Sequence, residues 1–278
     1  MTAPLRTILT DLAFGESPRW HDARLIVSDW GVGEVLAVDE TGSADVIARA
    51  QSFPLCVDFL PDGRLLLVAG TTLLRQEPDG TLVTHTDLGA LWPTPCNDIV
   101  VDDRGYAYVN NVAFEFPGGE FRPGYVGVVT PDGSARVVAH GLAFPNGMAI
   151  SPDGTTLVVA ESYANCLTGY RIQADGSLSD RRIWASVGEN HPDGICFDAE
   201  GAVWFADVAS HRCVRVAEGG EVLQTVEVDR GAFACVLGGP ERRTLYIVTN
   251  LWGPQGPGQG RNSQVVALDV AVPGAGHP

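Results

Sequence analysis

A pattern of two apolar strands joined by a tight polar turn recurs six times along the chain, about every 40–50 residues. The copies begin at Trp20, Phe59, Ile99, Met148, Ile195 and Val236. More apolar strand sequence follows each copy, and its turns contain Asp-Gly or similar pairs, because Gly supplies the positive φ that hairpin turns require. A repeat of this length indicates a propeller or a solenoid.

Six units of four short strands predict an all-β fold, a six-bladed β-propeller that forms one domain over residues 1–278. The sixth unit has too little chain for four strands, so residues 5–13 are predicted to supply the missing strand and close the ring. Closure would leave no long unpaired sheet edge. A β-sandwich, the alternative all-β fold, does not explain the sixfold recurrence.

Composition argues against several classes of function. The formal net charge of −16 disfavours nucleic-acid binding, which needs a positive surface. No apolar run approaches the roughly 20 residues of a membrane span. Thr, Asp and Glu interrupt the N-terminal stretch, where a signal peptide needs a continuous apolar core. We therefore expect a cytoplasmic protein, a monomer or weak homo-oligomer, without a membrane partner.

The cysteines indicate no redox or zinc site. There are six, mostly within apolar strand sequence, and none forms a Cys-x-x-Cys pair. In a cytoplasmic chain this pattern predicts buried, reduced thiols.

Four polar residues occupy equivalent positions in four of the repeats. Each lies four residues before the apolar residue that precedes the inner turn of its repeat. They are Glu16, Asn97, Asn146 and Asp193. Cys56 holds this position in the second unit, and in the sixth it falls near residues 233–235. Because the innermost strands of a propeller line its axial channel, these side chains are predicted to face one another at one mouth. Taken singly, each could be a loop or turn residue, but turn residues have no reason to keep this register.

These four side chains offer two carboxylates and two amide oxygens, with no Lys or Arg in the register. Such donors predict one divalent cation, Ca²⁺ first, with Mg²⁺, Mn²⁺, Zn²⁺ and Fe²⁺ as alternatives. The cation could polarise a carbonyl or phosphoryl oxygen, or it could only hold the blades together. Asp193 is the candidate catalytic base, because residues 198–201 already provide the turn of its unit.

Four motifs that contain these residues resemble the gluconolactonase, regucalcin and luciferin-regenerating-enzyme family. They are residues 15–20 (GESPRW), 96–105 (CNDIVVDDRG), 144–154 (FPNGMAISPDG) and 191–207 (HPDGICFDAEGAVWFAD). The resemblance covers roughly residues 12–250 and implies a six-bladed propeller with one catalytic divalent cation at the channel mouth. It also implies that Glu16, Asn146 and Asp193 are metal ligands and that Asn97 is a further ligand or a substrate contact. Asp193 would be the base in lactone hydrolysis.

The sequence departs from that family at Pro95, where sugar-lactonase members carry an Arg that holds substrate hydroxyls. Losing a group with five donors weakens the case for a sugar lactone. Residues 110–125 form a long insertion with Gly, Pro and four aromatic residues, which we interpret as a lid over the mouth. Five aromatic residues could line an apolar pocket there or simply pack the blades: Trp30, Trp92, Phe114, Phe116 and Tyr163.

The sequence therefore predicts a divalent-metal-dependent hydrolase, most simply a lactonase that opens a small lactone or ester, and one less polar than a sugar lactone. Two alternatives remain at this point. One is a hydrolase of phosphotriesters or fluorophosphates. The other is a propeller that binds calcium or a ligand without catalysis.

Overall fold

The fold consists of β-strands arranged in a ring. A computed structural model describes residues 4–253, 256–257 and 260–276 of the 278-residue chain. In those ranges there is no helix, and so none that is long and apolar enough to cross a membrane. The strands form six antiparallel four-stranded sheets, the blades of a six-bladed β-propeller. This confirms the predicted fold class.

The strand bounds follow the repeat. Strand β1 (Arg6–Leu12) belongs to the last blade. Blade one contains β2 (Gly15–His21), β3 (Arg24–Asp29), β4 (Glu34–Val38) and β5 (Ala44–Arg49). Blade two contains β6 (Leu55–Phe59), β7 (Leu65–Ala69), β8 (Thr72–Gln76) and β9 (Leu82–Asp87). Blade three contains β10 (Cys96–Val101), β11 (Ala107–Asn111), β12 (Gly124–Val129) and β13 (Ala135–Leu142).

The second half continues the same order. Blade four contains β14 (Pro145–Ile150), β15 (Thr156–Glu161), β16 (Cys166–Ile172) and β17 (Leu178–Ser186). Blade five contains β18 (Pro192–Phe197), β19 (Val203–Asp207), β20 (Arg212–Val216) and β21 (Val222–Glu227). Blade six contains β22 (Gly231–Gly238), β23 (Thr244–Asn250) and β26 (Ser263–Asp269) together with β1. A short hairpin of β24 (Trp252–Gly253) and β25 (Gly256–Pro257) is inserted before β26.

The two ends of the chain close the ring in blade six. The order of that sheet is β22, β23, β26 and β1, so the N-terminal strand is the outermost one. It runs antiparallel to β26, with Arg6 opposite Ala267 and Leu12 opposite Ser263. The prediction that the N-terminal stretch closes the propeller is confirmed. Because β1 and β26 are hydrogen-bonded to each other, opening the ring at this point requires breaking the sheet of blade six as well as the apolar contacts between blades.

The core is divided among the interfaces between neighbouring blades. The innermost strand of each blade packs against that of the next, and β22 packs against β2. Each interface holds its own apolar cluster. Between blades one and two, for example, Ile26 and Val35 pack with Val57 and Leu67. All six cysteines are buried and free, as predicted for reduced thiols.

Candidate active site

A small cavity lies on the axis of the propeller, enclosed by the innermost strands of all six blades. Its lining includes Glu16, Cys56, Asn97, Asn146, Gly194 and Cys235, one from each blade. The volume is about 20 Å³, roughly what one water molecule requires. The cavity thus has room for one water or one ion, and an organic substrate has to bind above it, at the mouth.

The predicted site residues lie on strands that bulge at the same point. In four blades the pairing register between the first and second strands changes within the first strand. The change lies between Glu16 and Arg19, Cys96 and Ile99, Pro145 and Met148, and Pro192 and Ile195. A bulge bends the strand and re-aims a side chain. The ladder of β6 with β7 is regular, and Cys56 occupies the site position there. The four oxygen-bearing side chains therefore share a local backbone feature that the thiol lacks.

Glycines follow two of these residues because neighbouring innermost strands approach closely. A Cβ on Gly147 would lie 2.5 Å from the carbonyl oxygen of Asp193. A Cβ on Gly194 would lie 2.4 Å from the Cβ of Ala234. Asn146-Gly147 and Asp193-Gly194 are thus sites of close strand contact and not turns, which agrees with the sequence argument that Asp193 is surplus to turn formation.

A chain of hydrogen bonds fixes the two amides. The Asn97 Nδ2 donates to Asn146 Oδ1 at 3.1 Å, and Asn146 Nδ2 donates to Ser162 Oγ at 3.3 Å. The Ser162 hydroxyl then donates to the Pro192 carbonyl at 2.8 Å, next to Asp193. Blades three, four and five are therefore held in register at the mouth, and Ser162 joins the site without having been predicted.

The two carboxyl groups of the site are buried, and their surroundings disfavour the charged form of each. Burial raises the pKa of Glu16 from 4.5 to about 7; the Ser17 amide opposes that shift and Asp98 adds to it. Burial also raises the pKa of Asp193 well above its ordinary value, and nearby carboxylates add to the shift, Glu16 first. Among the described residues, no hydrogen bond to the Asp193 carboxylate contributes to this shift. A positive charge beside these groups would relieve both costs.

One arginine enters the channel, which the sequence register did not predict. The Arg19 Nη2 lies 3.3 Å from Asp98 Oδ1, and its Nε lies 3.8 Å from Asp58 Oδ1. The same Nη2 donates to the Ile99 carbonyl at 2.6 Å. Arg19 is only 7% exposed, and its guanidinium pairs with acids other than the predicted ligands. Its charge partly opposes the raised pKa of Glu16, but among the described residues it forms no ion pair with Glu16 or Asp193.

The donor set fits a hard divalent cation. Carboxylate and amide oxygens are ligands that calcium and magnesium prefer. The described residues contain no cluster of three or more His, Cys, Asp and Glu side chains suited to a metal, so a site here depends on the Asn oxygens. Glu16, Asn97 and Asn146 line the cavity, whereas blade five contributes Gly194 and Ile195 to the lining and not the Asp193 side chain. The roles of the four predicted residues as ligands stay a prediction.

Trp30 is the predicted aromatic substrate residue that lines the cavity, as Asn97 also does. The buried indole N–H of Trp30 has no hydrogen-bond partner among the described residues. An unpaired buried donor is costly unless something accepts its hydrogen bond.

The other predicted aromatic residues divide into two groups. Phe114, Phe116 and Tyr163 belong to one set of ring contacts at the mouth. Trp92 does not join them: it is 2% exposed, lies in the core between blades two and three, and donates from Nε1 to the sulfur of Cys96 at 3.2 Å. Its position is explained by packing against Gly127, so a contact with a molecule at the mouth is not available to it.

Comparison with known proteins agrees with the fold and the motifs. The family model described as SMP-30/gluconolactonase/LRE-like region matches residues 14–250. A pentonolactonase of Haloferax volcanii is 26% identical over 268 residues, covering 88% of this chain and 84% of the relative. The structure of a gluconolactonase from Xanthomonas campestris has a TM-score of 0.78 at 25% identity, covering 97% of this chain and 90% of that one. A luciferin-regenerating enzyme has a TM-score of 0.84 at 19% identity, covering 98% and 97%, and is similar in fold.

Proposed function

The chain belongs to the SMP-30/gluconolactonase/LRE-like family, and on that premise we propose that it is a lactonase that depends on one divalent cation, calcium first. The observation that carries the proposal is a pair of buried carboxyl groups near the axis. Glu16 lines a cavity the size of one ion, and Asp193, next to the lining residue Gly194, is near enough to Glu16 for the two charges to interact. Buried acids without paired cations are costly in a purely structural role. They are useful where a cation and a water have to be held together.

Glu16, Asp193, Asn97 and Asn146 would hold the cation. When bound, it supplies Lewis-acid polarisation of the lactone carbonyl oxygen. The chain's own residues do the rest. The Trp30 indole N–H would donate a hydrogen bond to an oxygen of the lactone, and the amides of Asn97 and Asn146 would keep the mouth in register.

Asp193 is the proposed base. Its carboxylate takes a proton from a water molecule while the water oxygen bonds to the carbonyl carbon. As the ring C–O bond breaks, the proton passes from Asp193 to the departing ring oxygen, and the product is the open hydroxy acid. The carboxylate is suited to this because no described side chain occupies it with a hydrogen bond.

The proposal is tested by acid release from sugar, aliphatic and aromatic lactones, before and after chelation, with single cations added back. We expect hydrolysis of at least one class, its loss on chelation and its return with one cation. A folded, cation-loaded protein that opens no lactone would contradict the proposal. The same preparation would then be assayed on phosphotriesters, the alternative hydrolase substrate.

Trp30→Phe is expected to lower kcat/KM for a hydrolysed lactone by about 10-fold or more, because it removes one donor to the reacting group. Trp204→Phe is a matched control: the Trp204 indole N–H is also buried and unpaired among the described residues, but it lies in the core cluster of blades five and six. Kinetics of both variants check the prediction. Equal losses in the two variants would show that Trp30 acts only through packing.

A further inference from the structure

Every strongly exposed aromatic side chain in the described part of the chain lies at the channel mouth. These residues are Phe53, Phe116, Phe121, Tyr163 and Trp252. Ring contacts join them to further aromatic residues in one continuous set, which we call the aromatic rim. Its members are Phe14, Trp30, Phe53, Phe114, Phe116, Phe121, Phe144, Tyr163, Phe233 and Trp252. The remaining exposed large apolar residues are aliphatic.

The rim is directly connected to the axial cavity. Trp30 lines the cavity, and its ring lies 5.5 Å from that of Phe14. Phe14 in turn contacts Phe233, at 5.2 Å between centroids. Phe233 sits in the ladder shift between β22 and β23, the same bulge point that carries the polar site residues in four other blades. A molecule bound at the mouth, above the cavity, therefore has aromatic rings beside it.

Two rim residues meet above the axis from opposite sides of the ring. Phe116 lies in the connection of residues 112–123 between β11 and β12 of blade three, and Trp252 lies in the hairpin inserted in blade six. Their rings are 6.5 Å apart and only 4° from parallel. In a ring of six, blades three and six are opposite, so their insertions can touch only over the mouth. The predicted lid segment thus roofs the site, and whether it moves stays a prediction.

Several polar side chains near the mouth already make hydrogen bonds within the protein. The Asn97 amide donates to Asn146 and Pro145, and the Ser162 hydroxyl donates to Pro192. The Asn111 amide donates to the carbonyl oxygens of Thr94 and Pro95, both at 2.8 Å. A ring covered with hydroxyl groups would place several of them against aromatic faces without partners, which is unfavourable.

We propose that the substrate is a lactone with an aromatic substituent, and that Phe116 and Trp252 hold this substituent while the lactone ring lies over the cavity. Flat apolar groups pack well against aromatic side chains in offset or edge-to-face geometry. The inference rests on the proposed lactonase function and adds the substrate class. It also gives the roof a role that blade packing does not explain, since Phe116 is 45% exposed.

Three lactones with the same six-membered ring test this inference: δ-valerolactone, δ-phenyl-δ-valerolactone and glucono-δ-lactone. Their intrinsic reactivities differ, because the hydroxyl groups of glucono-δ-lactone activate its carbonyl, so kcat/KM for each lactone is divided by the rate constant of its uncatalysed hydrolysis. With the cation-loaded full chain we expect the phenyl lactone to exceed δ-valerolactone by about 10-fold or more, and glucono-δ-lactone to be the poorest.

The variants Phe116→Ala and Trp252→Ala are expected to remove most of the preference for the phenyl lactone over δ-valerolactone. Ile183→Ala, an exposed apolar residue on the outermost strand of blade four, serves as the control and keeps the preference. Glucono-δ-lactone as the best substrate, or a preference that survives both variants, would overturn this inference alone. Hydrolysis of none of the three would overturn the proposed function and the inference with it.

Discussion

Asp193→Asn is expected to lower kcat for lactone hydrolysis by about 10³-fold, within the range that a positioned base contributes. The change keeps the shape of the side chain and removes its ability to take a proton from water. It also removes one of the two charges of the proposed cation site. Because no described residue donates a hydrogen bond to this carboxylate, the substitution removes no side-chain hydrogen bond from the fold. Steady-state rates and thermal unfolding of the variant check both expectations.

The matched control is Asp79→Asn. Asp79 stands in the same Pro-Asp-Gly context, but in an exposed turn, where Oδ1 accepts one hydrogen bond from the Thr81 amide at 2.9 Å. Asn can keep that bond, so rate and stability are expected to stay near those of the parent. An Asp193→Asn protein with kcat within about twofold of the parent would show that another group acts as the base.

Glu16→Gln is expected to change stability in opposite directions with and without the cation. The pKa of Glu16 is raised from 4.5 in the unfolded chain to about 7 in the fold, so the folded state binds this proton more tightly. The favourable contribution of this proton to the free energy of unfolding is fully present below pH 4.5 and is lost as pH rises through about 7. At pH 8 the ionised group costs the cation-free fold on the order of 3 kcal/mol. Gln carries no charge and does not incur that cost.

At pH 8 in chelator, Glu16→Gln should therefore unfold at a higher temperature than the parent, and at pH 5 the difference should be much smaller. Added calcium should raise the unfolding temperature of the parent at pH 8 and do little for the variant, since one of its ligands is weakened. Glu34→Gln, on the outer part of blade one and paired with Arg49 at the surface, controls for the loss of one charge. Identical pH and calcium responses in parent and Glu16→Gln would rule out a cation site at Glu16.

The repeat made the fold predictable because each blade is a local pattern of strand and turn. The N-terminal strand was also predictable, since residues 5–13 are apolar enough to pair with the last unit and a closed ring leaves no open edge. The same periodicity places Glu16, Asn97 and Asn146 on one ring, where the structure brings them together. Their register needed only the count of residues back from each turn.

Other features depend on contacts between distant segments, which a local pattern does not contain. The bulges arise where two strands pair, so the sequence alone showed only glycines such as Gly147 and Gly194 beside the site residues. Arg19 enters the channel because Asp58 and Asp98 from two other blades surround it. The contact of Phe116 with Trp252 exists only because the ring closes and brings opposite blades together over the axis.

Trp92 is a residue for which the sequence left two roles open. It was among five aromatic residues that could line an apolar pocket at the mouth or simply pack the blades. In the fold it fills the space above Gly127, where a Cβ would lie 2.6 Å from the indole ring. Gly127 leaves the space that the Trp92 ring occupies. The sequence does not show that these two residues meet, because their contact depends on the strand register of blade three.

The most direct measurement follows lactone hydrolysis while one cation is titrated into chelated protein. The rate should rise from near zero and level off at one equivalent of calcium, and the Asp193→Asn protein should stay inactive throughout. A rate that is unchanged by chelation and by every added cation would contradict a cation-dependent lactonase built on Glu16, Asn97, Asn146 and Asp193.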